Sequence, residues 1–272
     1  MKRQFSLVYL TASELAPPEM IETAGRAGFD YVSLRTIAMG LPGELNFGLS
    51  SNPALLRDTK AALADSGVKL LDIENARLHD DVDIRKYLPE MEIAAELGAK
   101  AVLTNIWSTD RAFVVDKFAE LCGHAKSYGL KVNLEFVTWA SITDLKDSVE
   151  IIKSSGADNA AIALDTLHFS RSRCTLEELA ALPPDYLGAL HLCDAPAEIP
   201  TTKEGLIHTG RGERLYVGEG GIDIAGIVSN MPANVVCGIE IPHIERLKAI
   251  GASEHISRSI ETTKAYLEAN GL

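Results

Sequence analysis

The segment AIALDTLHF at residues 161–169 carries the pattern that decides the fold. It begins with four apolar residues and then changes abruptly to Asp165, with His168 three residues later. A short run that is apolar nearly throughout indicates a parallel strand that is covered on both faces. An ionisable residue at its end is costly to bury unless it is paired or binds a metal, so this strand end is a candidate functional position.

Seven more runs of this kind occur along the chain. They alternate with longer stretches in which apolar residues recur at helical spacing, and several of these stretches end in glycine, as helices often do. Eight such units in 272 residues predict one (β/α)8 barrel, a single domain over residues 1–272, rather than an open doubly wound sheet. The further runs are SLVYL (6–10), YVSL (31–34), KLLDI (69–73), AVLTNI (101–106), KVNLEF (131–136), GALHL (188–192) and VVCGIEI (235–241).

The span from about residue 194 to residue 222 departs from this alternation. It is rich in proline, glycine and charged residues, a composition that is typical of loops. The sequence therefore predicts a long loop between the seventh strand and a short helix that begins near Asp223.

The composition limits the class of partner. The formal net charge is −12 and the Lys and Arg residues are scattered, so we expect the chain to repel nucleic acid and anionic membrane surfaces. It contains no run of about 18 apolar residues, and hence no membrane span is expected. The four cysteines lie far apart without metal-binding or redox spacing, which predicts free thiols in a cytoplasmic protein.

Four consecutive predicted strands each place an ionisable residue at or near their carboxyl end. In a (β/α)8 barrel these ends face the active site, so the four side chains are expected to lie together. Each one alone could be a satisfied core residue or half of a buried ion pair, but four at matching strand ends predict a metal site. Three carboxylates and one imidazole suit Mn2+, Mg2+ or Co2+, with Zn2+ as a further alternative. The residues are Glu135, Asp165, His191 and Glu240.

Five short motifs follow one another in the second half of the chain: NLEF (133–136), LDTLHF (164–169), LHLCD (190–194), RLYVGEGGID (214–223) and GIEIP (238–242). In these motifs the chain resembles the xylose isomerase-like barrel superfamily of sugar and sugar-phosphate isomerases and epimerases. That superfamily also contains inosose dehydratases, 3-dehydroshikimate dehydratases and endonuclease IV. The resemblance covers essentially the whole chain, and it implies that the four strand-end residues bind one divalent metal ion, with Mn2+ favoured.

The resemblance also implies roles for three residues near the metal. His168 would contact the substrate, and Arg214 would hold a substrate hydroxyl or carbonyl oxygen. Asp194 would either orient His191 or close the loop that follows the seventh strand.

Other strand ends and the predicted loop offer further candidates for substrate binding. Arg35 and Glu74 could contact the substrate or could simply pair with each other. Trp107 could stack on a sugar face or only cap the core. His208 and Arg211 could reach a carboxylate or phosphate of the substrate.

A metal that is flanked by two carboxylates suits proton abstraction next to a carbonyl, because the cation stabilises the enediolate that forms. Glu135 and Glu240, on opposite sides of the substrate, would remove one proton and return another. The prediction is therefore a metal-dependent isomerase or epimerase of a small sugar, sugar phosphate or polyol ketone. A dehydratase (lyase) that acts on an inosose or a dehydroshikimate-like acid through the same enolate is the alternative.

Other functions in the superfamily are disfavoured. Endonuclease IV uses a three-zinc cluster fed by additional histidines, whereas most of the seven histidines here lie away from predicted strand ends. Val137 stands where the dehydroshikimate dehydratases carry a histidine. A non-catalytic sugar-binding barrel is disfavoured because the full metal-ligand set is retained. Barrels of this family often dimerise, so a homodimer is compatible with the resemblance.

Overall fold

Eight parallel strands pair in their order along the chain and close into a barrel. The structure is a computed structural model that describes residues 3–40 and 43–272. The closed barrel confirms the predicted (β/α)8 fold. The strands are β1 Phe5–Val8, β2 Tyr31–Arg35, β3 Lys69–Glu74, β4 Ala101–Thr104, β5 Lys131–Glu135, β6 Ala160–Asp165, β7 Leu187–Leu192 and β8 Cys237–Ile239.

At least one helix lies in every connection between consecutive strands, and a long helical segment that is interrupted by a kink at Gly251 follows the last strand. The helices are α1 Pro17–Ala27, α2 Pro53–Ser66, α3 Leu88–Glu96, α4 Arg111–Ser127, α5 Leu145–Ser155, α6 Thr166–Arg171, α7 Leu176–Ala180, α8 Lys203–Gly212, α9 Ile224–Ser229 and α10 Ile244–Ala269. Within residues 3–40 and 43–272, three 3-10 helices accompany them at Tyr9–Ala12, Ile84–Tyr87 and Pro184–Tyr186. No helix within the described ranges is both long enough and apolar enough to cross a membrane. All four cysteines are free, as predicted.

Five predicted strands end earlier than their apolar runs, and two of them pass directly into a helix. The run SLVYL leaves β1 after Val8 and continues as a 3-10 helix. The run AIALDTLHF leaves β6 after Asp165, because the Asp165 carboxylate accepts the backbone N–H groups of Leu167 and His168 at 2.7 and 3.0 Å. A side chain that accepts these N–H groups begins a helix, so α6 starts at the next residue.

The prediction of one long loop from residue 194 to residue 222 is wrong, because α8 lies inside that span. Thr202 caps this helix by accepting the N–H of Gly205 at 3.1 Å. The glycines of α8 serve close packing rather than turns. A Cβ on Gly210 would overlap the ring of Trp139, and one on Gly212 would lie 2.9 Å from the side chain of Ile244. The short helix near Asp223 is present as α9, which Asp223 caps through the N–H of Gly226 at 2.9 Å.

A layer of small and polar side chains lies inside the barrel, below the strand ends. Residues two apart on a strand share a face. The buried residues Asp72, Asn133, Ala163 and Ala189 each precede a strand-end residue by two, and Ala163 and Ala189 form a small apolar cluster with Leu103 that is separate from the main core. The main core lies between the strands and the surrounding helices.

Gly188 occupies a bulge in β7 and allows this layer to pack closely. The pairing of β6 with β7 shifts at this point, so that β7 has one extra residue there. A Cβ on Gly188 would overlap the side-chain oxygen of Asn133 and the methyl group of Ala161. Glycine is therefore required by close approach, as is common at bulges.

We predict that Gly188→Ala lowers the free energy of unfolding by about 1–3 kcal/mol, because the added methyl group overpacks the barrel interior. Gly123→Ala is the matched control, since a Cβ at this exposed position in α4 meets no atom within 4 Å. The control is expected to gain up to about 1 kcal/mol from helix propensity. Urea unfolding measures both changes, and equal stability of the two variants would contradict the interpretation of Gly188.

Candidate metal centre

The four predicted metal ligands meet at the carboxyl end of the barrel. Glu135 and Asp165 end β5 and β6, His191 is the penultimate residue of β7, and Glu240 directly follows β8. All four are buried, and one ligand atom from each lies within 4.8 Å of the others. The parallel register produces this convergence, since it places Asp165 directly beside His191.

The Nδ1 atom of His191 points at two carboxylates without bonding to either. It lies 3.7 Å from Glu135 Oε1 and 3.7 Å from Glu240 Oε2, and this buried nitrogen has no hydrogen-bond partner. A buried polar atom without a partner is costly and rare in folded proteins. A cation between the imidazole nitrogen and the carboxylate oxygens would remove this deficit, so these residues fit a divalent metal with oxygen and nitrogen ligands.

The electrostatics of this cluster also favour a cation. Burial acts to lower the pKa of His191, but Glu135 and Glu240 together raise that pKa well above its usual value. Burial raises the pKa of Asp165. For Glu240 burial acts in the same direction, yet Arg214 and His191 hold its pKa well below the usual range. The two carboxylates therefore reverse the effect of burial on the pKa of His191, whereas Arg214 and His191 reverse it on the pKa of Glu240.

Arg214 supplies one positive charge to the cluster. Its buried guanidinium places Nη1 2.5 Å from Asp165 Oδ2 and 2.9 Å from Glu240 Oε2. Its Nε donates to the carbonyl oxygen of Gly210 in α8 at 2.8 Å, which fixes the plane of the guanidinium. Arg214 thus bridges two metal-ligand candidates, and it also lines the cavity above them.

Asp194 closes the loop that carries Arg214. Its carboxylate accepts the backbone N–H groups of Ala195, Gly218, Gly220 and Ile222 at 2.8–3.1 Å. Its backbone exchanges two hydrogen bonds with Leu215, next to Arg214. Of the two roles that the sequence left open for Asp194, the structure shows contacts for closing the loop.

His168 lies in α6 with its ring against Trp139, at 4.9 Å between ring centroids. The N–H of Thr138 donates to Nδ1 at 3.3 Å, so the proton of the neutral ring is on Nε2. Burial lowers the pKa of His168, which favours this neutral form. His168 lines the cavity and can therefore offer an Nε2–H donor to a bound molecule.

A cavity of about 220 Å³ opens above the cluster. Arg35 and Glu74, which are register partners at the ends of β2 and β3, pair with each other in its lining, with Nη2 3.3 Å from Oε1. Trp107 forms part of the wall and donates from Nε1 to Asn105 Oδ1 at 2.7 Å. Five of the predicted substrate-binding residues line this cavity: Arg35, Glu74, Trp107, His168 and Arg214.

Of the two remaining candidates, His208 and Arg211, only one lies at the cavity. Arg211 lines the cavity, whereas exposed His208 forms an ion pair with Glu213 at 3.0 Å and is not a lining residue. Two buried or half-buried residues were missed by the sequence analysis. Asp72 lies in the layer below the ligands, where burial raises its pKa to about 6, and Arg77 lies in the cavity wall. Asp72 carries the same signal as the ligands, a carboxylate inside an apolar run, while Arg77 carries none.

Comparison with known proteins identifies relatives of this barrel. A family model described as xylose isomerase-like TIM barrel matches residues 21–266. The inosose isomerase of Bacillus subtilis is 24% identical over 261 residues, which are 90% of this chain and 84% of that protein. The 3-dehydroshikimate dehydratase of Pseudomonas aeruginosa is 23% identical over 86% of this chain, which spans 36% of that protein. A crystal structure of the IOLI protein with a bound zinc atom has a TM-score of 0.82 at 22% identity, covering 97% of this chain and 98% of that chain.

We predict that the chelator-treated protein binds one equivalent of Mn2+ and gains about 2.7 kcal/mol of stability when free Mn2+ reaches about 100 times its dissociation constant. His191→Ala removes a ligand atom and is expected to weaken binding at least about tenfold. His208→Ala, an exposed site outside the cavity, is the matched control. Calorimetric titration gives stoichiometry and affinity, and wild-type affinity in His191→Ala would remove His191 from the ligand set.

We predict that Asp194→Asn lowers the free energy of unfolding by about 2 kcal/mol, because an amide group would face backbone N–H donors that now bond to a carboxylate. Asp223→Asn is the control, since Asn caps a helix as well as Asp does and the expected change is below about 0.5 kcal/mol. Thermal or urea unfolding measures both variants. If Asp223→Asn lowers the free energy of unfolding by the same amount, the four hydrogen bonds of Asp194 do not stabilise the protein more than an ordinary helix cap does.

Proposed function

Because the chain belongs to the xylose isomerase-like TIM barrel family, we propose that it is a divalent-metal-dependent isomerase or epimerase of a sugar-like hydroxy ketone. The observation that carries this proposal is the placement of two carboxylates around one unpaired nitrogen. Glu135 and Glu240 each lie 3.7 Å from His191 Nδ1, and both line the floor of the cavity. A ketone that binds at this floor would lie within reach of both carboxylates.

The chemistry divides between the cation and the side chains. A divalent cation held by the four strand-end residues would supply a Lewis acid that makes a hydrogen next to the carbonyl more acidic. Arg214 keeps Glu240 ionised, since the guanidinium lowers the pKa of that carboxyl. Glu240 would therefore begin the cycle as a base, and Glu135 would exchange a proton with the opposite face or the neighbouring carbon.

His168 would stabilise the negative charge that develops on the substrate oxygen. Its ring is neutral and presents Nε2–H to the cavity, and a donor that is already fixed in place costs no reorganisation when the charge appears. The wall beside it is apolar, formed by Leu10, Met39 and Val137 together with the two tryptophans. These side chains limit the access of water to the reacting carbons.

The place to which the second proton returns decides the reaction. Return to the other face gives an epimer, and return to the adjacent carbon converts an aldose into a ketose or the reverse. Loss of a hydroxyl group from the neighbouring carbon would give a dehydratase, which the similarity to the 3-dehydroshikimate dehydratase keeps as the alternative. We favour isomerisation or epimerisation because the similarity to inosose isomerase covers 84% of that protein and because Val137 offers no further base.

We also propose Mn2+ as the cation that this protein uses. Three carboxylates and one imidazole form a mostly oxygen ligand set, which suits Mn2+, Mg2+ or Co2+. The zinc atom in the structure of the IOLI protein supports Zn2+ as the competing ion.

We predict that the protein with saturating Mn2+ incorporates deuterium from D2O next to the carbonyl of at least one member of a ketose panel, without loss of water. Glu135→Gln is expected to slow this exchange by about 10²- to 10⁴-fold, because it removes a proton-transfer group. Glu92→Gln makes the same chemical change on the exposed face of α3 and serves as the control. NMR measures the exchange, and calorimetry verifies that each variant is saturated with metal.

The outcomes separate the alternatives. Exchange in Glu135→Gln at the rate of Glu92→Gln would show that Glu135 does not transfer the proton. An absorbing enone together with loss of water would identify the dehydratase. Absence of exchange and of turnover over the whole panel, with metal bound, would contradict an enzyme that acts on ketoses.

A further inference from the structure

Four arginines line the cavity, and two of them are neutralised there. Arg214 contacts Asp165 and Glu240, and Arg35 pairs with Glu74. The charge at the metal-binding end of the cavity would then be balanced. The three negative charges of Glu135, Asp165 and Glu240 equal the positive charge of Arg214 together with that of a divalent cation. Any surplus charge in the cavity must come from the other two arginines, Arg77 and Arg211.

Neither Arg77 nor Arg211 has a carboxylate partner in the part of the chain that the structure describes. The Nε atom of Arg77 is buried and makes no hydrogen bond. The guanidinium of Arg77 stacks on the ring of Trp107, with 4.1 Å between its central carbon and the ring centroid. This stacking fixes the plane of the group and leaves its N–H edge free for a ligand.

The two unpaired arginines are also close enough to repel each other. Burial lowers the pKa of Arg77, and the positive charge of Arg211 lowers it further. Burial likewise lowers the pKa of Arg211, and Arg35 adds to that effect. The chain as a whole has a net charge of −12, so this concentration of positive charge is not a general property of its surface. A bound anion would relieve the repulsion and satisfy the unused donors.

We propose that Arg77 and Arg211 form an anion-binding subsite at the cavity mouth, which takes the phosphate or carboxylate group of an anionic hydroxy-ketone substrate. The proposal rests on the proposed function for the placement of the ketone at the metal end. A planar guanidinium matches the oxygens of a phosphate or a carboxylate with two parallel hydrogen bonds. The subsite therefore selects the charged member of any pair of substrates that share the same hydroxy-ketone end.

The test is equilibrium binding of three probes to the Mn2+-loaded protein: D-fructose, D-fructose 6-phosphate and 5-keto-D-gluconate. We expect at least one anionic probe to bind at least about tenfold more tightly than D-fructose, because hydrogen bonds to charged groups contribute that much. The stronger of the two anions distinguishes phosphate from carboxylate recognition. In Arg77→Gln and in Arg211→Gln the preference for the anion over D-fructose is expected to fall about tenfold or more.

Arg57→Gln is the matched control, because it removes one positive charge from an exposed site on α2 where the side chain pairs only with Asp58. It should keep the wild-type preference. The proposal fails if the wild-type protein shows no preference for either anion, or if both pocket variants keep the preference of Arg57→Gln. Arg211 is exposed, so Arg211→Gln remains a valid test even where Arg77→Gln loses its thermal stability.

Different results would contradict the proposed reaction and the proposed anion-binding subsite. Deuterium exchange on a neutral ketose without any anion preference would remove the subsite and leave the proposed reaction. A clear anion preference that depends on Arg77 or Arg211, with no exchange on any ketose or ketose phosphate, would leave the subsite and remove the proposed reaction.

Discussion

The close approach of three buried carboxylates is the constraint on which the rest of the structure depends. Their ligand atoms lie within 4.8 Å of one another and of the His191 imidazole, in a region from which water is largely excluded. Such an arrangement is stable only with positive charge among the oxygens. Arg214 supplies part of that charge, and the position of Arg214 depends in turn on the loop that Asp194 closes and on the carbonyl oxygen of Gly210.

The packing of segments that are distant along the chain fixes the position of the His168 ring in the cavity wall. Gly210 allows α8 to approach Trp139, and the ring of Trp139 contacts His168. Thr138 then fixes the tautomer of the His168 imidazole by donating to Nδ1. The cavity-facing N–H of His168 is thus positioned by α8 through the ring of Trp139, and by Thr138 through one hydrogen bond.

The sequence was sufficient for the barrel and for the convergence of the four strand-end residues, because apolar runs that end in ionisable residues report both strand and position. It was misleading at α8, where glycines that permit close packing gave the composition of a loop. The end of β6 was misplaced because Asp165 acts as a helix cap, which a hydrophobic run does not reveal. Arg77 could not be found, since its significance depends on Trp107 and Arg211, which the fold brings to the same wall.

Asp165 commits its two oxygens to different parts of the molecule. One oxygen caps the first turn of α6 through Leu167 and His168, and the other contacts Arg214. The same carboxylate therefore fixes both the start of the helix that carries the His168 ring and the guanidinium of Arg214. The floor and the wall of the cavity are mechanically coupled through one side chain.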